Sequence, residues 1–382
     1  KISKNPYALV EDIWGVGFKR ADAIARKLGY EHSSYKRIRA GMAHVLSEAA
    51  GEGHTYLPRN ELTQRTAELL GVEEGVVTYS LDHCAAERIL VDDDDRIYRP
   101  LYYRAETRVA EILGERAGSD AKPVARFDPA AFRAWMERQA SRTGWRADPR
   151  QTAACEKALG NGVFVLTGGP GTGKTTTLQV IVSFLRERGI RVSLAAPTGR
   201  AAQRLGAVSG YQAKTIHRLL EFRPGGEGYR FARNRDNPID TDVVIVDEVS
   251  MVDLLLMRNL LEALPPTAAI TFVGDSNQLP SVGAGNVLAD LIGSGVIPHV
   301  ELTKVFRQAA RSTIVLSAHE IIRGGIPRFA NAPTDNCFFL SSEDPDDVLE
   351  KVVALGRGSL PRRYGLDPLA DIQGRSPMHR GT

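Results

Sequence analysis

Hydrophobic positions gather unevenly along this chain. Between residues 163 and 273 they form four short, largely apolar runs, at 163–166, 191–196, 243–246 and 269–273, separated by stretches of helical period. A run apolar at nearly every position, without the alternation of a half-exposed strand, is a strand buried on both faces, which implies a parallel sheet. Alternation of such strands with helices predicts an α/β doubly wound domain over residues 150–330, with ligands at the carboxyl ends of the strands. Residues 1–113 read instead as short helices, small turns and one hairpin, in which Arg88-Ile-Leu-Val91 and Arg96-Ile-Tyr98 flank Asp92 to Asp95. With the helical pattern around Tyr56-Leu-Pro-Arg-Asn-Glu this outline is winged-helix-like, a plain spacer being the alternative. Residues 114–149, rich in Gly, Pro and Arg around a helix near 129–141, read as a linker and docking segment.

Composition narrows this picture only slightly. A length of 382 residues predicts two or three domains, and 43% hydrophobic with 25% charged residues is that of a soluble globular protein. The formal charge of +3 is small, so a nucleic-acid partner requires local basic patches. Cys84, Cys155 and Cys337 lack any paired spacing, which speaks against a disulfide framework or a zinc site and fits a reducing cytoplasm. No apolar run approaches the roughly 18 residues of a membrane span, and no membrane association is expected. The chain opens on Lys1 rather than Met, and a piece of a longer protein is expected.

Each apolar run ends in candidate chemistry. After the first comes Gly168-Gly-Pro-Gly-Thr-Gly173-Lys174-Thr175, which satisfies GxxxxGK[ST] between a strand and a helix. Its glycines let backbone N–H groups wrap a phosphate, Lys174 adds charge, and Thr175 offers a hydroxyl to Mg²⁺. After the third run stand Asp247 and Glu248, an arrangement in which one acid holds Mg²⁺ and the next polarises an attacking water. Alone, such a pair is as often a helix cap.

Five segments in order carry a resemblance: Leu166-Thr-Gly-Gly-Pro-Gly-Thr-Gly-Lys-Thr-Thr176, Ala196-Pro-Thr-Gly-Arg-Ala-Ala202, Val246-Asp-Glu-Val-Ser-Met251, Gly274-Asp-Ser-Asn-Gln-Leu-Pro-Ser-Val-Gly-Ala-Gly285 and Leu302-Thr-Lys-Val-Phe-Arg-Gln308. Over about residues 150–325 the chain resembles the RecD branch of superfamily 1B DNA helicases. The resemblance implies a RecA-like P-loop ATPase domain that uses ATP and Mg²⁺. It places the nucleotide against Gln151, which would read adenine, and against Gly168, Gly171, Thr172, Gly173, Lys174, Thr175 and Thr176. The metal falls to Thr175 and Asp247, and catalysis to Lys174, Glu248, the γ-phosphate reader Gln278 and the arginine finger Arg307. A surface loop for Gln278, a surface ion pair for Arg307 and a helix-start role for Gln151 are the plainer alternatives.

For single-stranded DNA the candidates are Thr198, Arg200, Lys214, Thr215 and His217, which offer hydroxyl, imidazole and cationic donors beside the strand ends. Capping by Thr198 and a structural His217 remain open. Residues 221–238 form a small insertion, either a DNA-facing hairpin or a solvated loop. Near the start, Ile13-Trp-Gly15-Val-Gly17-Phe-Lys19-Arg resembles a helix-hairpin-helix, in which Gly15, Gly17 and Lys19 would meet a DNA phosphate. Residues 331–382 are expected to open a second RecA-like domain and to leave it incomplete.

The expectation is therefore an ATP-dependent DNA helicase of repair or recombination, moving 5′ to 3′ by resemblance, on single strands and duplex–single-strand junctions. A monomer working alone is expected. The competing class is an ATP-switched clamp on single-stranded DNA or on a partner subunit, without processive travel.

Overall fold

The computed structural model describes residues 6–7, 17–118, 127–223, 230–306, 312–327, 329, 331 and 335–375. Two compact units divide the chain, Lys1–Ala309 and Ala310–Thr382. In chain order the strands are β1 Tyr56–Pro58, β2 Val91–Asp93, β3 Arg96–Tyr98, β4 Val163–Gly168, β5 Val192–Ala196, β6 Ala213–Thr215, β7 Phe222–Arg223, β8 Arg230–Phe231, β9 Val243–Val246, β10 Ala269–Gly274 and β11 His299–Leu302.

The four apolar runs are β4, β5, β9 and β10, and every position of β4, β9 and β10 is buried. With β6 and β11 they make a six-stranded sheet in the order β11-β4-β10-β9-β5-β6, parallel at every pairing. Alternate residues serve opposite faces. Val163 and Val165 enter one apolar core, while Phe164 and Leu166 enter the other. Each such side chain contributes about 2 kcal/mol on leaving water.

The two cores extend beyond the expected boundaries. Helix Pro100–Gly118 carries an apolar stripe, Ala105, Val109, Ile112 and Leu113, that is buried with Val163, Val244, Leu260 and Phe272. Buried Arg116 then donates to the carbonyls of Pro265 (3.0 Å) and Ala268. The boundary expected at residue 113 thus falls inside a helix that belongs to the sheet's core. On the other face, helix Pro129–Thr143 inserts Phe132 and Trp135, the Phe132 ring meeting Phe184 edge-on at 4.9 Å. Within the segment expected to be a linker and docking segment, this helix packs into the sheet's second core.

Before them, helices Phe18–Lys27, Tyr35–Gly51, Arg59–Leu70 and Glu74–Ala86 bury Ile38, Met42, Leu62 and Leu81 together with Leu57 and Ile97 of a small antiparallel sheet, β1-β3-β2. Asp94 and Asp95 both take left-handed φ (56° and 62°), the geometry of a tight two-residue hairpin turn. Arg59 gathers the acids around that turn, pairing with Asp82 (2.7 Å), Asp92 and Asp95 (3.3 Å). This small module meets the sheet domain where the Gly285 N–H donates to the Gly53 carbonyl (2.9 Å), beside an open groove of about 900 Å³.

The second unit holds helices Thr313–Ile322, Pro345–Ala354 and Leu360–Tyr364, none with a buried residue. It begins at Ala310, ahead of the position expected to open a second domain, and its described residues contain no strand.

Candidate active site

The strand order decides which motifs meet. Across the carboxyl edge of the sheet stand, in turn, the segment after β11, the phosphate loop after β4, Asp275 after β10, Asp247 and Glu248 after β9, Pro197 and Thr198 after β5, and Thr215 at the end of β6. Neighbouring ends are level, because the register pairs Leu302 with Gly168, Gly274 with Thr167, Ala195 with Val246 and Ala196 with Thr215.

Two glycines of the loop are required by their surroundings. A Cβ at Gly168 would lie 2.6 Å from the Leu302 carbonyl oxygen, and one at Gly173 would lie 2.5 Å from Gln151 Nε2. The buried Thr172 hydroxyl donates to the Gly169 carbonyl (2.8 Å) and closes the loop from within. Gly171 is exposed, and Thr175 and Thr176 lie half-buried in the first turn of helix Lys174–Glu187. The Lys174 ammonium donates to the carbonyls of Gly168 and Gly169 (3.1 Å to the latter). Burial is the main influence on Lys174 and lowers its pKa, while Asp275, Glu248 and Asp247 oppose that shift. Three adjacent strand ends therefore supply one ammonium and three carboxylates to one place.

Asp247 is raised above the ordinary carboxylate value, first by burial and then by the charge of Glu248. Its Oδ1 accepts the Glu248 N–H (2.9 Å). Glu248 holds a left-handed backbone (φ 55°), a conformation that costs a side-chain-bearing residue about 1 kcal/mol or more. Asp275 is 3% exposed and accepts the Asn277 N–H (3.0 Å), while its carbonyl accepts the Gln278 N–H (3.1 Å). Gln278 lies on the exposed turn so formed.

Gln151 stands at the start of helix Pro149–Gly160, against the phosphate loop. It is 3% exposed, and its amide closes a capping box: Oε1 accepts the Asp148 N–H (2.9 Å) and Nε2 donates to the Gly173 carbonyl (3.4 Å). Both ends of the amide brace the helix start against the phosphate loop, while Nε2 keeps a second hydrogen and Oε1 a second lone pair. Phe306, which the motif analysis passed over beside Arg307, packs against Gly173, and its N–H donates to the Gly171 carbonyl (3.3 Å). Lys304 pairs with Asp148 (2.7 Å) and holds that carboxyl below its usual range. Arg307 lies outside the described residues.

On the far side of the edge, the Thr198 and Thr215 hydroxyls cap the helices that follow them, accepting from Ala201 N–H (3.2 Å) and Arg218 N–H (3.1 Å). Arg200, Lys214 and His217 are exposed. Lys214, Thr215 and His217 share a groove of about 660 Å³ with Arg218 and Phe222. The hairpin of β7 and β8 rises beside it, Phe222 and Phe231 flanking the His217 ring at 6.0 and 5.8 Å. The tip of the insertion lies outside the described residues, as does Gly15. Gly17 precedes helix Phe18–Lys27 with an extended backbone and no side-chain cap, and Lys19 is exposed in the first turn.

A phosphate loop flanked by acids at the carboxyl edge of a parallel sheet defines a P-loop ATPase core. Residues 146–336 match the family described as AAA domain, and residues 1–56 match the family described as ATP-dependent RecD2 DNA helicase HHH domain. The chain belongs to the RecD-like superfamily 1 helicases, with an N-terminal helix-hairpin-helix region. It is 33% identical to the ATP-dependent RecD2 DNA helicase of Deinococcus radiodurans, over all of this chain and 52% of that protein. It is 34% identical to the RecBCD enzyme subunit RecD of Mycobacterium tuberculosis, over 68% of this chain and 48% of that one. The chain thus spans about half the length of these relatives. Among solved structures, the Pif1 helicase of Candida albicans aligns at 23% identity over 48% of this chain and 45% of that one, with a TM-score of 0.36. No helix among the described residues is long and apolar enough to cross a membrane.

Proposed function

We propose that this chain is the ATP-binding and most of the ATP-hydrolysing part of a DNA helicase motor that travels on single-stranded DNA. The observation that carries the reading is the order of the strand ends, which sets the acids and the phosphate loop on one stretch and a basic, aromatic-flanked groove on the next. Loop N–H groups and the start of helix Lys174–Glu187 would face the triphosphate, with Lys174 placing its charge near the β and γ positions. Glu248 would polarise the attacking water, and Gln278 would hydrogen-bond the γ-phosphate and lose that bond on its release. Arg307 would stabilise charge on the transferring phosphoryl group. The Thr175 hydroxyl and the Asp247 carboxylate are the oxygen donors that Mg²⁺ takes, and the ion would neutralise charge on the β and γ oxygens. Lys214, His217, Arg200 and the Gly17–Lys19 turn would meet DNA phosphates. Travel from 5′ to 3′, action at junctions and a place in repair or recombination follow the family.

The test is ATP hydrolysis with and without single-stranded DNA, in this chain and in one extended to the length of its relatives. Hydrolysis is expected to rise with DNA and to fall about a hundredfold or more in Lys174→Ala. The extended protein should separate duplexes with a 5′ tail and not those with a 3′ tail. DNA-independent turnover in both chains would overturn the helicase reading. DNA-stimulated turnover without strand separation in the extended protein would mark an ATP-switched clamp instead.

A further inference from the structure

Thr167, directly before the phosphate loop, plays no part in the roles assigned above. It is 2% exposed, and its hydroxyl is used twice by one neighbour, donating to Ser276 Oγ (3.3 Å) and accepting the Ser276 N–H (3.4 Å). Ser276 is exposed and opens the turn that ends at Gln278, a turn closed internally on Asp275. The two loops leave adjacent strands at the same level, Gly274 being paired with Thr167. Through the Thr167 hydroxyl a side chain ties the turn to the phosphate strand. Both bonds lie at the long end of the hydrogen-bond range, so they add little to stability while fixing where the turn begins.

We propose that Thr167 is a positioning residue that sets the Gln278 turn against the phosphate loop, and so determines how strongly the site prefers a nucleoside triphosphate to a diphosphate. This rests on the reading of Gln278 as the group that meets the γ-phosphate. A displaced turn weakens a contact made only with the triphosphate and leaves the diphosphate, held by the phosphate loop, as it was. Serine at this position can make both bonds, and valine, of the same shape, can make neither.

The experiment is calorimetric titration of the full chain with a non-hydrolysable ATP analogue and with ADP, both with Mg²⁺, for wild type, Thr167→Val, Thr167→Ser and Gln278→Ala. Thr167→Val and Gln278→Ala are each expected to weaken the triphosphate about fivefold, the worth of one lost hydrogen bond, with ADP within about twofold of wild type. Thr167→Ser should keep the wild-type ratio, and the double variant should be no worse than Gln278→Ala alone. If Gln278→Ala lowers the ratio and Thr167→Val does not, Thr167 has no positioning role and the reading of Gln278 stands. If Gln278→Ala leaves the ratio unchanged, that reading fails and the role of Thr167 fails with it. Equal weakening of ADP and analogue in Thr167→Val would show damage to the phosphate loop itself and overturn the proposal. Should Thr167→Val fold poorly, the exposed change Ser276→Ala removes one of the two bonds and is expected to lower the ratio about twofold; an unchanged ratio there overturns it equally.

Discussion

Asp247 joins local electrostatics to a pH dependence. Burial and the adjoining Glu248 raise its pKa above the ordinary aspartate value of 3.8, so it takes up a proton at a higher pH than an ordinary carboxyl. The protonated form is a poor metal donor, and Mg²⁺-nucleotide affinity should therefore fall, as pH drops, at a pH above 3.8. A titration of affinity against pH checks this, and Asp247→Asn should remove the acid limb. The same shift has a sign for stability: the folded state binds the proton more tightly than the unfolded one, so this group's contribution declines as pH rises from 3.8 through its raised value. At this scale the sequence was readable where a motif constrains chemistry and ambiguous where one side chain can serve two partners. Lys174, Asp247 and Glu248 converge as their spacing after buried strands implies. Thr198, Thr215 and Gln151 are caps in the structure, and the neighbouring orphan N–H groups that recruit them appear only once the helix starts are fixed. Thr198→Ala should cost about 1 kcal/mol in urea unfolding, independently of any change in DNA affinity.

Among the elements, the central strands were legible and the edge strands were not. β4, β9 and β10 are buried at every position, and nearly all apolar, because sheet neighbours and helices cover both faces. β6 and β11 alternate between covered and open positions over three or four residues, too short for a period to show. Helix Pro100–Gly118 was hidden for another reason. Its stripe at Ala105, Val109 and Ile112 is that of any amphipathic helix, and sequence does not say which of two cores will take it. Leu113→Ala should therefore destabilise the ATPase core, by about 2 to 4 kcal/mol, and not merely loosen the N-terminal module. Thermal unfolding with and without nucleotide would show it, since the binding-competent core is the part weakened.

For the molecule as a whole, a net charge of only +3 means that the DNA binding proposed above rests on local patches. Each phosphate neutralised adds about 0.7 to the slope of log affinity against log salt on single strands, so Lys214→Ala should lower that slope by roughly this amount with little dependence on base sequence. The groove reads backbone charge in this account, while the nucleotide stretch of the same edge reads phosphate number. A second line joins distant parts. The segment carrying Gln278 ends at Gly285, whose N–H is held by the Gly53 carbonyl of the N-terminal module. If the module binds DNA as proposed and a shift of that segment with the γ-phosphate changes its affinity by some factor, thermodynamic reciprocity obliges DNA on the module to change triphosphate affinity by the same factor. The contact at Gly53 would then make the nucleotide and the DNA answerable to each other.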